Sequence, residues 1–575
     1  MTPGTYTSEA KGFYSDIRAI VTVSEDAIEN IVIENTTVYE NTSTNTAKDG
    51  IASETFNDGT LGFGSVANVE MPKRIVDAQT VACDGISGAT ASTAAIRKAV
   101  TDCLHQAGAD DRFFAAPAAV EKTDKTITTD VLVVGSGMAG FGAATAALEA
   151  GANVLMLEKL SIYGGTSISS GAAMMACAGP DNPDTTVKDL ADFWQMRAEG
   201  KGNYDQFTFV AERSGANIEY LMNLGVKFKL GSVPASDIDR SYRPVSGMGY
   251  TVINALKDHF DELGGELLLE TRATDLITDE NGKVIGAVAE GKDATYTIYA
   301  KGGVVLATGG FEHDQAMVEK YAPHYAKNRS FGGNAGDDGD AILMCEKVGA
   351  DFAFPGYGMD DSGYAVVVVD PIIKNGGGVQ YIGYTTIEVD GITGKRFHNE
   401  RSNFETAEMD DTGHFNDIWC IFDSTRSADI LEQLDTAVAN GYAYKADTLE
   451  ELAEQVGMPV EAFVETMNKW NQMAAAGEDT EFGNPTIGDE AVLQAPFYAG
   501  SYQQNMIGTF GGPRINTRAE VLRPDGSAIP GLYAAGECAN GEFFYRLYTC
   551  GGTSVMMAFT FGREAGANAA QTALK

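Results

Sequence analysis

The chain has 575 residues, of which 41 are basic and 80 are acidic, so its formal net charge is −39. This acidity disfavours nucleic acid and anionic membrane surfaces as partners, because both bind through positively charged patches. Hydrophobic residues make up 44% of the chain and glycine occurs 66 times, which is typical of a well-buried α/β enzyme. No apolar run reaches the ~18 residues of a membrane-spanning helix, so we expect a chain that does not span a membrane.

The seven cysteines are dispersed and include no C-x-x-C pair. This spacing predicts neither a disulfide framework, nor a zinc or iron–sulfur site, nor covalently attached haem, so we expect no metal centre. The sequence shows no signal peptide. Its start, "MTPGTYTSEAKG", nevertheless resembles a mature sequence to which Met was added, so export stays open.

The first unit in chain order is predicted at residues 1–105 as a small α+β domain. The stretch "IRAIVTVSEDAIENIVIENTTVYE" predicts two alternating strands around a turn, and "STAAIRKAVTDCLHQAG" predicts an amphipathic helix. The polar stretch at 106–127 indicates a linker. Directly before the helix stands the string "DGISGAT", in which hydroxyl residues such as Ser87, like Ser92 just after it, suit a helix N-cap.

A dinucleotide-binding pattern begins at the apolar strand Val131–Val134. The loop "GSGMAG", a helical pattern and a second strand that ends at Glu158 follow in the order that such a fold requires. In this pattern Gly135 permits the tight turn, Gly137 lets the backbone approach the pyrophosphate, and Gly140 lets the helix pack closely on the strand. The helix N-terminus offers N–H groups to the phosphates, and Glu158 is placed to accept hydrogen bonds from the adenosine ribose.

Three further glycine-rich segments favour FAD over NAD as the dinucleotide. "GGVVLATGGF" ends a strand at Thr308 and Gly309, and "GGTSISSG" supplies small residues where a flat ring could approach. "GLYAAGECANG" places Glu537 after a strand, where FAD folds often bind the ribityl chain. Because one long ligand must contact all these segments, we predict FAD.

The same residues carry a family resemblance. "DVLVVGSGMAGFGAA", "LATGGF", "GDDGDAILMCEKVGAD" and "IPGLYAAGE" with "GGTSVMMAFTFGREAG" resemble the flavoprotein family of soluble fumarate reductases, urocanate reductases and 3-ketosteroid dehydrogenases. The resemblance implies an α/β fold, with a Rossmann-like FAD-binding domain at 128–352 and 505–575, an inserted α+β cap domain that holds substrate at 353–504, and a small N-terminal α+β FMN-binding domain. FAD is expected to bind non-covalently. The residues expected at the FAD site are Gly135, Ser136, Gly137, Ala139, Gly140, Glu158, Lys159, Gly165, Thr166, Ser167, Gly171, Ala273, Ala307, Thr308, Gly309, Asp340, Glu537, Ser554 and Val555.

The N-terminal unit resembles the FMN-binding domain of this family, and "DGISGAT" resembles its flavinylation motif. In that motif the FMN phosphate is esterified to a threonine hydroxyl, so the resemblance implies covalent FMN at Thr90, with Ser87 as the alternative attachment site. Electrons would pass from an external donor protein or a quinol-linked chain through FMN to FAD. Because flavinylated domains of this type are usually exported, we expect an extracytoplasmic location, at the cell surface or in the periplasm, with the cytoplasm as the alternative.

Reductases of this family transfer hydride from the flavin to an activated C=C bond, and an acid protonates the neighbouring carbon. In fumarate reductases the acid is an arginine four residues beyond the "NE" of a GKRF-x-NE motif, and in "GKRFHNERSNFE" Phe404 takes that place. Arg401 or Arg546 could substitute, at shifted positions. The tail "LYTCGGTSVMMAFTFG" is similar to a ketosteroid dehydrogenase segment, which implies that the Tyr548 hydroxyl and the Gly551 N–H polarise a ketone oxygen.

Tyrosines in the cap favour an aromatic or alicyclic substrate, because a phenol can donate a proton and also offer a flat apolar face. They are Tyr357, Tyr364, Tyr381 and Tyr384, of which Tyr384 is taken as a catalytic candidate. We therefore predict reduction of an activated C=C bond in an enone or aromatic-conjugated small-molecule acceptor. A fumarate- or urocanate-type carboxylate reductase, a steroid-type dehydrogenase that runs in the oxidative direction, and a flavoprotein without turnover remain alternatives.

Overall fold

The structure is a computed structural model, and it describes residues 1–11, 15–38, 63–86, 90–117, 121–231, 241–325, 333–334, 336–360, 366–367, 386–400, 417–441, 443–503, 506–549 and 551–575. Within these ranges no helix combines the length and the apolarity that crossing a bilayer requires. Six cysteines lie in the described ranges, and each is buried and free.

The N-terminal unit is a three-stranded antiparallel sheet covered by two helices. Its elements are β1 (Gly4–Lys11), β2 (Ser15–Val23), β3 (Ile28–Val38), α1 (Phe63–Ala78) and α2 (Thr90–Gln106). Strand β2 lies between the other two, and its alternate residues Ile17, Ala19, Val21 and Val23 are buried, as the period of two predicts. Strand β1 is missing from the sequence prediction, although it pairs with β2 along its whole length. Phe113, within the stretch expected to be a linker, is buried in this core.

The second unit starts with a long first segment. Its elements are β4 (Thr123–Thr129), β5 (Val131–Val134), α3 (Met138–Glu149), β6 (Val154–Leu157), α4 (Gly165–Ser169), β7 (Met174–Met175), α5 (Val187–Arg197), α6 (Tyr204–Asn223), β8 (Phe228–Gly231), β9 (Ser241–Pro244), α7 (Met248–Glu262), β10 (Glu266–Leu268), β11 (Arg272–Thr278), β12 (Val284–Glu290), β13 (Ala294–Ala300), β14 (Val304–Leu306), α8 (Gln315–Tyr321), α9 (Asp340–Lys347) and β15 (Phe352–Ala353).

The cap and the returning segment complete the chain. The cap contains β16 (Gly358–Asp360), β17 (Val366–Val367), β18 (Ile387–Asp390), β19 (Ile418–Phe422), α10 (Ala428–Ala439), β20 (Ala443–Ala446), α11 (Leu449–Val456), α12 (Val460–Ala476) and β21 (Phe497–Gln503). The returning segment contains β22 (Met506–Thr509), β23 (Gly512–Pro513), β24 (Glu520–Leu522), β25 (Ala528–Ala534) and α13 (Thr553–Ala573).

A six-stranded sheet joins the first segment to the returning segment. Its strand order is β10-β6-β5-β14-β25-β24, and all neighbours are parallel except the edge strand β24. Every residue of Val131–Val134 is buried, which is typical of a parallel strand covered on both faces. Strands β5, β14 and β25 end in register, with Leu306 paired to both Val134 and Ala534. The glycine-rich segments that follow these strands therefore meet at one edge of the sheet.

Two helices that begin near this edge pack unusually closely. A Cβ at Gly562 of α13 would lie 2.3 Å from the Ala139 carbonyl oxygen of α3, and one at Gly566 would lie 1.9 Å from that of Ala143. The two helices thus run in the same direction and touch backbone to backbone. This packing requires glycine at both positions.

A smaller sheet of order β11-β12-β13-β4 packs beside the first. Its strand β4 begins at Thr123, so the C-terminal end of the expected linker belongs to this sheet. The cap has its own sheet, of order β17-β21-β19-β18 with β20 on β21, and its own apolar core around Trp470 and Phe463. Two antiparallel pairs join the returning segment to earlier strands, since β23 pairs with β15 just before the cap and β22 pairs with β16 at the start of the cap.

Candidate FAD site and acceptor site

A cavity of about 670 Å³ opens at the edge where β5, β14 and β25 end. The predicted cofactor residues of the described ranges line it with one exception: Gly135, Ser136, Gly137, Ala139, Glu158, Lys159, Gly165, Thr166, Ser167, Gly171, Ala273, Ala307, Thr308, Gly309, Asp340, Glu537, Ser554 and Val555. The exception is Gly140, which lies behind the loop. The N-termini of α3 and α13 also contribute to the wall, so the positive ends of two helix dipoles lie along it.

The three loop glycines differ in what surrounds them. Gly135 has φ +103°, and a Cβ there would lie 2.1 Å from the Ala307 carbonyl oxygen. A Cβ at Gly140 would lie 1.9 Å from the Gly135 carbonyl oxygen, so this glycine serves the packing of helix on strand. At Gly137, by contrast, the nearest atom is Ser167 Oγ at 3.5 Å. The chain thus leaves space at Gly137 that a bound pyrophosphate can use.

Glu158 lies at the end of β6 and is 5% exposed. Its carboxylate accepts hydrogen bonds from Ser136 Oγ at 2.5 Å and from the Leu160 N–H at 2.8 Å. Burial raises the pKa of Glu158, and the bonds from Ser136 and Leu160 oppose that shift. The carboxylate is therefore held in a fixed orientation at the cavity wall, where an adenosine ribose would contact it.

Two predicted cofactor residues, Lys159 and Asp340, belong to an ion-pair network. Lys159 Nζ lies 2.7 Å from Asp340 and also contacts Asp338. The guanidinium of Arg272 bonds the same two carboxylates, at 2.5 Å to Asp340 and 3.0 Å to Asp338. Because two acids already neutralise its charge, Lys159 offers the cavity little net positive potential.

A cluster of buried acids lies next to the cavity and is absent from the sequence prediction, except for Glu537. The carboxylate oxygens of Glu312, Asp337 and Glu537 lie within 4.8 Å of one another. Glu312 is 1% exposed, and neither of its carboxylate oxygens has a hydrogen-bond partner among the described residues. Asp337 accepts bonds from Thr166 Oγ1 at 2.6 Å and the Asn334 N–H at 3.0 Å.

Burial and mutual repulsion keep these acids from ionising together. Burial, followed by the charges of Glu537 and Asp337, raises the pKa of Glu312 well above its usual range. Burial and the charge of Asp337 raise the pKa of Glu537 to about 8. Glu537 therefore holds a proton at neutral pH. Because Glu537 also lines the cavity, it can donate a hydrogen bond to a polyhydroxyl chain bound there.

The wall near the start of α13 contains both predicted carbonyl-polarising groups, Tyr548 and Gly551. The Tyr548 hydroxyl accepts a hydrogen bond from the Ser554 N–H at 3.3 Å. A Cβ at the adjacent Gly552 would lie 3.0 Å from the backbone of Ala173, so these two segments pack closely here. The helix N-terminus and a phenol thus face the same cavity.

An arginine that sequence reasoning missed, Arg243 on β9, also lines the cavity. It is exposed on a strand whose neighbours are buried. No motif marks this residue, because its strand precedes α7 in a stretch without glycine-rich or catalytic patterns. Arg546, in contrast, is outside the lining, and its guanidinium bonds Glu199 at 2.9 Å.

Several predicted residues have no described position. Arg401, Tyr384 and Ser87 lie outside the described residues, as does Phe404. Thr90 is the first residue of α2, and its side chain is outside the described part.

The motif "GKRF" has a structural role in the cap. Arg396 is 1% exposed and makes a two-fold bond to Glu400, with both nitrogen–oxygen distances 2.8 Å. It also bonds Asp479 at 2.9 Å and lies 4.5 Å from the centre of the Trp470 ring. Its guanidinium is engaged by these buried groups, so Arg396 has a structural role in the cap.

Comparisons with known proteins agree with this geometry. Residues 130–555 match the family described as FAD binding domain, and residues 12–105 match the FMN-binding domain. The chain is 30% identical to an NADH:acrylate oxidoreductase from Vibrio harveyi, over 98% of this chain and 61% of the relative's length. It is 33% identical to a probable fumarate reductase from Shewanella frigidimarina, over 78% of this chain and 76% of that one.

Solved structures and one further relative extend the comparison. An open flavocytochrome c3 fumarate reductase matches with a TM-score of 0.61 and 30% identity, over 78% of this chain and 79% of its own. A 3-ketosteroid dehydrogenase from Rhodococcus jostii, in complex with 4-androstene-3,17-dione, matches with a TM-score of 0.59 and 26% identity, over 79% and 99%. A vinyl phenol reductase from Lactiplantibacillus plantarum is 27% identical, over 77% of this chain and 96% of its own.

These findings confirm the fold class and the flavin cofactors. The FAD family covers most of the chain, the N-terminal unit is an FMN-binding domain, and the cavity has the glycine loop and the fixed acid that FAD requires. The chain therefore belongs to the FAD-binding-domain family of flavoprotein oxidoreductases and carries an FMN-binding domain at its N-terminal end.

Proposed function

We propose that the protein reduces an activated C=C bond of a small-molecule acceptor. FAD bound in the cavity would supply hydride to the acceptor, with electrons that reach the FMN-binding domain from an external donor. The observation that carries the proposal is the single cavity into which the three strand ends, the N-terminus of α13 and Tyr548 all project. Relatives named as acrylate and fumarate reductases support the same reaction class.

We propose an enone or an aromatic-conjugated compound as the acceptor. The Tyr548 hydroxyl and the Gly551 N–H, at the positive end of α13, would bind the carbonyl oxygen and stabilise the negative charge that hydride addition places on it. The Tyr548 hydroxyl oxygen accepts a hydrogen bond from the Ser554 N–H, and this bond helps to hold the hydroxyl in place. Two of the similar proteins, named for vinyl phenol and for a 3-ketosteroid, support an acceptor that carries no carboxylate.

Arg243 favours a second candidate, an unsaturated carboxylate. Arg243 lines the cavity, and its guanidinium could bind a substrate carboxylate in a bidentate manner. The relatives named for acrylate and fumarate support this candidate. The two candidates differ in which side chain controls turnover, so variants can separate them.

The test is oxidation of reduced viologen by the flavin-loaded protein with two acceptor panels. One panel contains enones and vinyl phenols, and the other contains acrylate, fumarate, urocanate and cinnamates. For the enone candidate, Tyr548→Phe should lower kcat about 10- to 100-fold, because it removes one donor to the developing oxyanion. Tyr545→Phe is the matched control, since Tyr545 packs against the core and is absent from the cavity lining.

For the carboxylate candidate, Arg243→Gln should raise KM for the acids strongly and leave turnover of neutral acceptors unchanged. Arg213→Gln is its control, because Arg213 lies over Phe209 on α6 and outside the cavity lining. Turnover of acids alone, with loss in Arg243→Gln, would refute the enone proposal. Absence of turnover with both panels would refute the reductase proposal itself.

We propose that FMN is attached covalently at Thr90. The match of residues 12–105 to the FMN-binding domain and the "DGISGAT" string support this site. Thr90→Ala should remove the FMN mass from the intact protein and leave FAD binding unchanged. Retention of FMN in this variant, with loss in Ser87→Ala, would instead assign attachment to Ser87.

The proposed domain limits and location follow from the same family. We propose an FMN-binding domain at 1–105, a linker at 106–127, FAD-binding segments at 128–352 and 505–575, and a cap at 353–504. Within this proposed linker, Phe113 packs into the core of the FMN-binding domain, and β4 already begins at Thr123. The flavinylation string supports an extracytoplasmic location, which fractionation of the producing cells would test.

A further inference from the structure

Among the described residues, an ion pair and an apolar contact join the FMN-binding domain to the FAD domain. Arg74 Nη2 on α1 lies 3.0 Å from the carboxylate of Glu270, which stands between β10 and β11. The Arg74 side chain is 15% exposed and that of Glu270 is 37% exposed, so the pair is partly shielded from water. Ile162 of the FAD domain packs against the core of the FMN-binding domain.

The same arginine holds the segment that precedes Thr90. Arg74 Nη1 donates a hydrogen bond to the Gly85 carbonyl oxygen at 3.0 Å. The side chain of Arg97 donates to the Cys83 carbonyl oxygen, and the Ile86 N–H donates to Thr93 Oγ1 at 3.2 Å. The first residues of the "DGISGAT" string are therefore fixed to α1 and α2, and Arg74 links them to the other domain.

Glu270 stands directly behind the wall of the FAD cavity. Its N–H donates to the Leu160 carbonyl oxygen at 3.0 Å, and the next N–H, of Thr271, donates to that of Glu158 at 2.9 Å. Leu160 and Thr271 both line the cavity, beside the acid expected to bind the adenosine ribose. Glu270 has φ +51°, a conformation that is uncommon for a side chain with a Cβ.

We propose that Arg74 and Glu270 are a docking pair, which holds the FMN-binding domain and the segment before Thr90 against the adenosine end of the FAD cavity. The proposal rests on the proposed function only for the identity of the flavin that this segment carries. Ion pairs of this exposure are weak individually and are screened by salt. Loss of the pair should therefore shift the ratio of docked to undocked domain by about two- to fivefold without unfolding either domain.

Hydrogen–deuterium exchange of the full chain, without flavins, tests the docking. Glu270→Lys should raise amide exchange in residues 83–86 and 268–271 by about two- to fivefold. Combining it with Arg74→Glu should restore slow exchange at 268–271, because the charges are exchanged. Raising ionic strength from about 0.05 to about 0.5 M should reproduce the increase in the unmodified protein.

Glu290→Lys is the matched control. Glu290 is also a surface acid of the FAD domain, but it pairs with Lys122, the residue directly before β4, and not with the FMN-binding domain. This variant should leave exchange at 83–86 unchanged. Unchanged exchange in Glu270→Lys, or failure of the exchanged pair to restore it, would overturn the proposal.

Kinetics of the flavin-loaded protein give a second result. Glu270→Lys should lower kcat about two- to fivefold and leave KM for the acceptor unchanged, because the pair lies outside the wall formed by Tyr548, Gly551 and Arg243. A change confined to acceptor KM would overturn the docking assignment. If no acceptor is turned over, the proposed function fails, while the exchange experiment still decides the docking.

Discussion

Two neighbouring glycines of the dinucleotide loop should respond in opposite ways to the same substitution. At Gly137 the backbone has φ −74°, which alanine adopts easily, and the nearest atom to an added Cβ is 3.5 Å away. The free energy of unfolding of the FAD-free Gly137→Ala protein should therefore change by less than about 0.5 kcal/mol. At Gly140 an added Cβ would lie 1.9 Å from a backbone oxygen, so Gly140→Ala should cost at least about 1–3 kcal/mol.

For FAD binding we expect the opposite order, in which Gly137→Ala weakens binding more than Gly140→Ala does. An added methyl group at Gly137 occupies the space that the pyrophosphate needs and weakens charge-assisted hydrogen bonds from the loop N–H groups. Loss of one such bond corresponds to about 1.5–3 kcal/mol, or about a 10- to 150-fold rise in Kd. The measurements are urea unfolding of the FAD-free proteins and titration with FAD followed by flavin fluorescence.

Gly488→Ala provides the control, because an added Cβ there meets no atom closer than 3.5 Å and the residue is far in sequence from the loop. If Gly137→Ala destabilises the FAD-free protein as much as Gly140→Ala does, the assignment of free space at Gly137 is refuted. Unchanged FAD affinity in Gly137→Ala would refute the placement of the pyrophosphate.

Two further predictions concern buried charge. Arg396→Met should destabilise the cap by about 3–5 kcal/mol, because it leaves Glu400 and Asp479 buried without their cation. Calorimetry would detect this loss as a lower melting temperature of the cap. An unchanged melting transition would contradict the prediction. The FAD-free protein should lose stability as pH rises from about 4.5 to about 8, because the folded state binds more protons than the unfolded state wherever the pKa values of Glu537 and Glu312 are raised. Glu312→Gln should reduce this slope in urea unfolding at several pH values, and an equal slope in both proteins would show that Glu312 is ionised when folded.

Local patterns were sufficient for the dinucleotide loop. The strand Val131–Val134, the spacing of its glycines and the acid at Glu158 lie within one short stretch, and the conformations involved depend mainly on neighbouring residues. The aligned ends of β14 and β25 were also foreseen from glycines that follow apolar strands.

Other features depend on contacts between residues that are far apart in the chain. The acids Glu312, Asp337 and Glu537 meet only because β14 and β25 are neighbours, and their raised pKa values follow from that proximity and from burial. Arg546 resembled an acceptor-binding residue from its position in the sequence. In the structure its guanidinium bonds Glu199, which lies 347 residues away in the chain, and Arg546 is outside the cavity lining.

The sequence by itself determined the fold class, the flavin cofactors and most of the predicted residues that line the cavity, because each of these leaves a short pattern of glycines, apolar runs and hydroxyl residues. The tertiary structure alone decided that Arg243 faces the cavity and that Arg74 meets Glu270. Neither residue belongs to a local motif. Their roles depend on side chains that distant segments bring together, and only packing of the whole chain specifies such contacts.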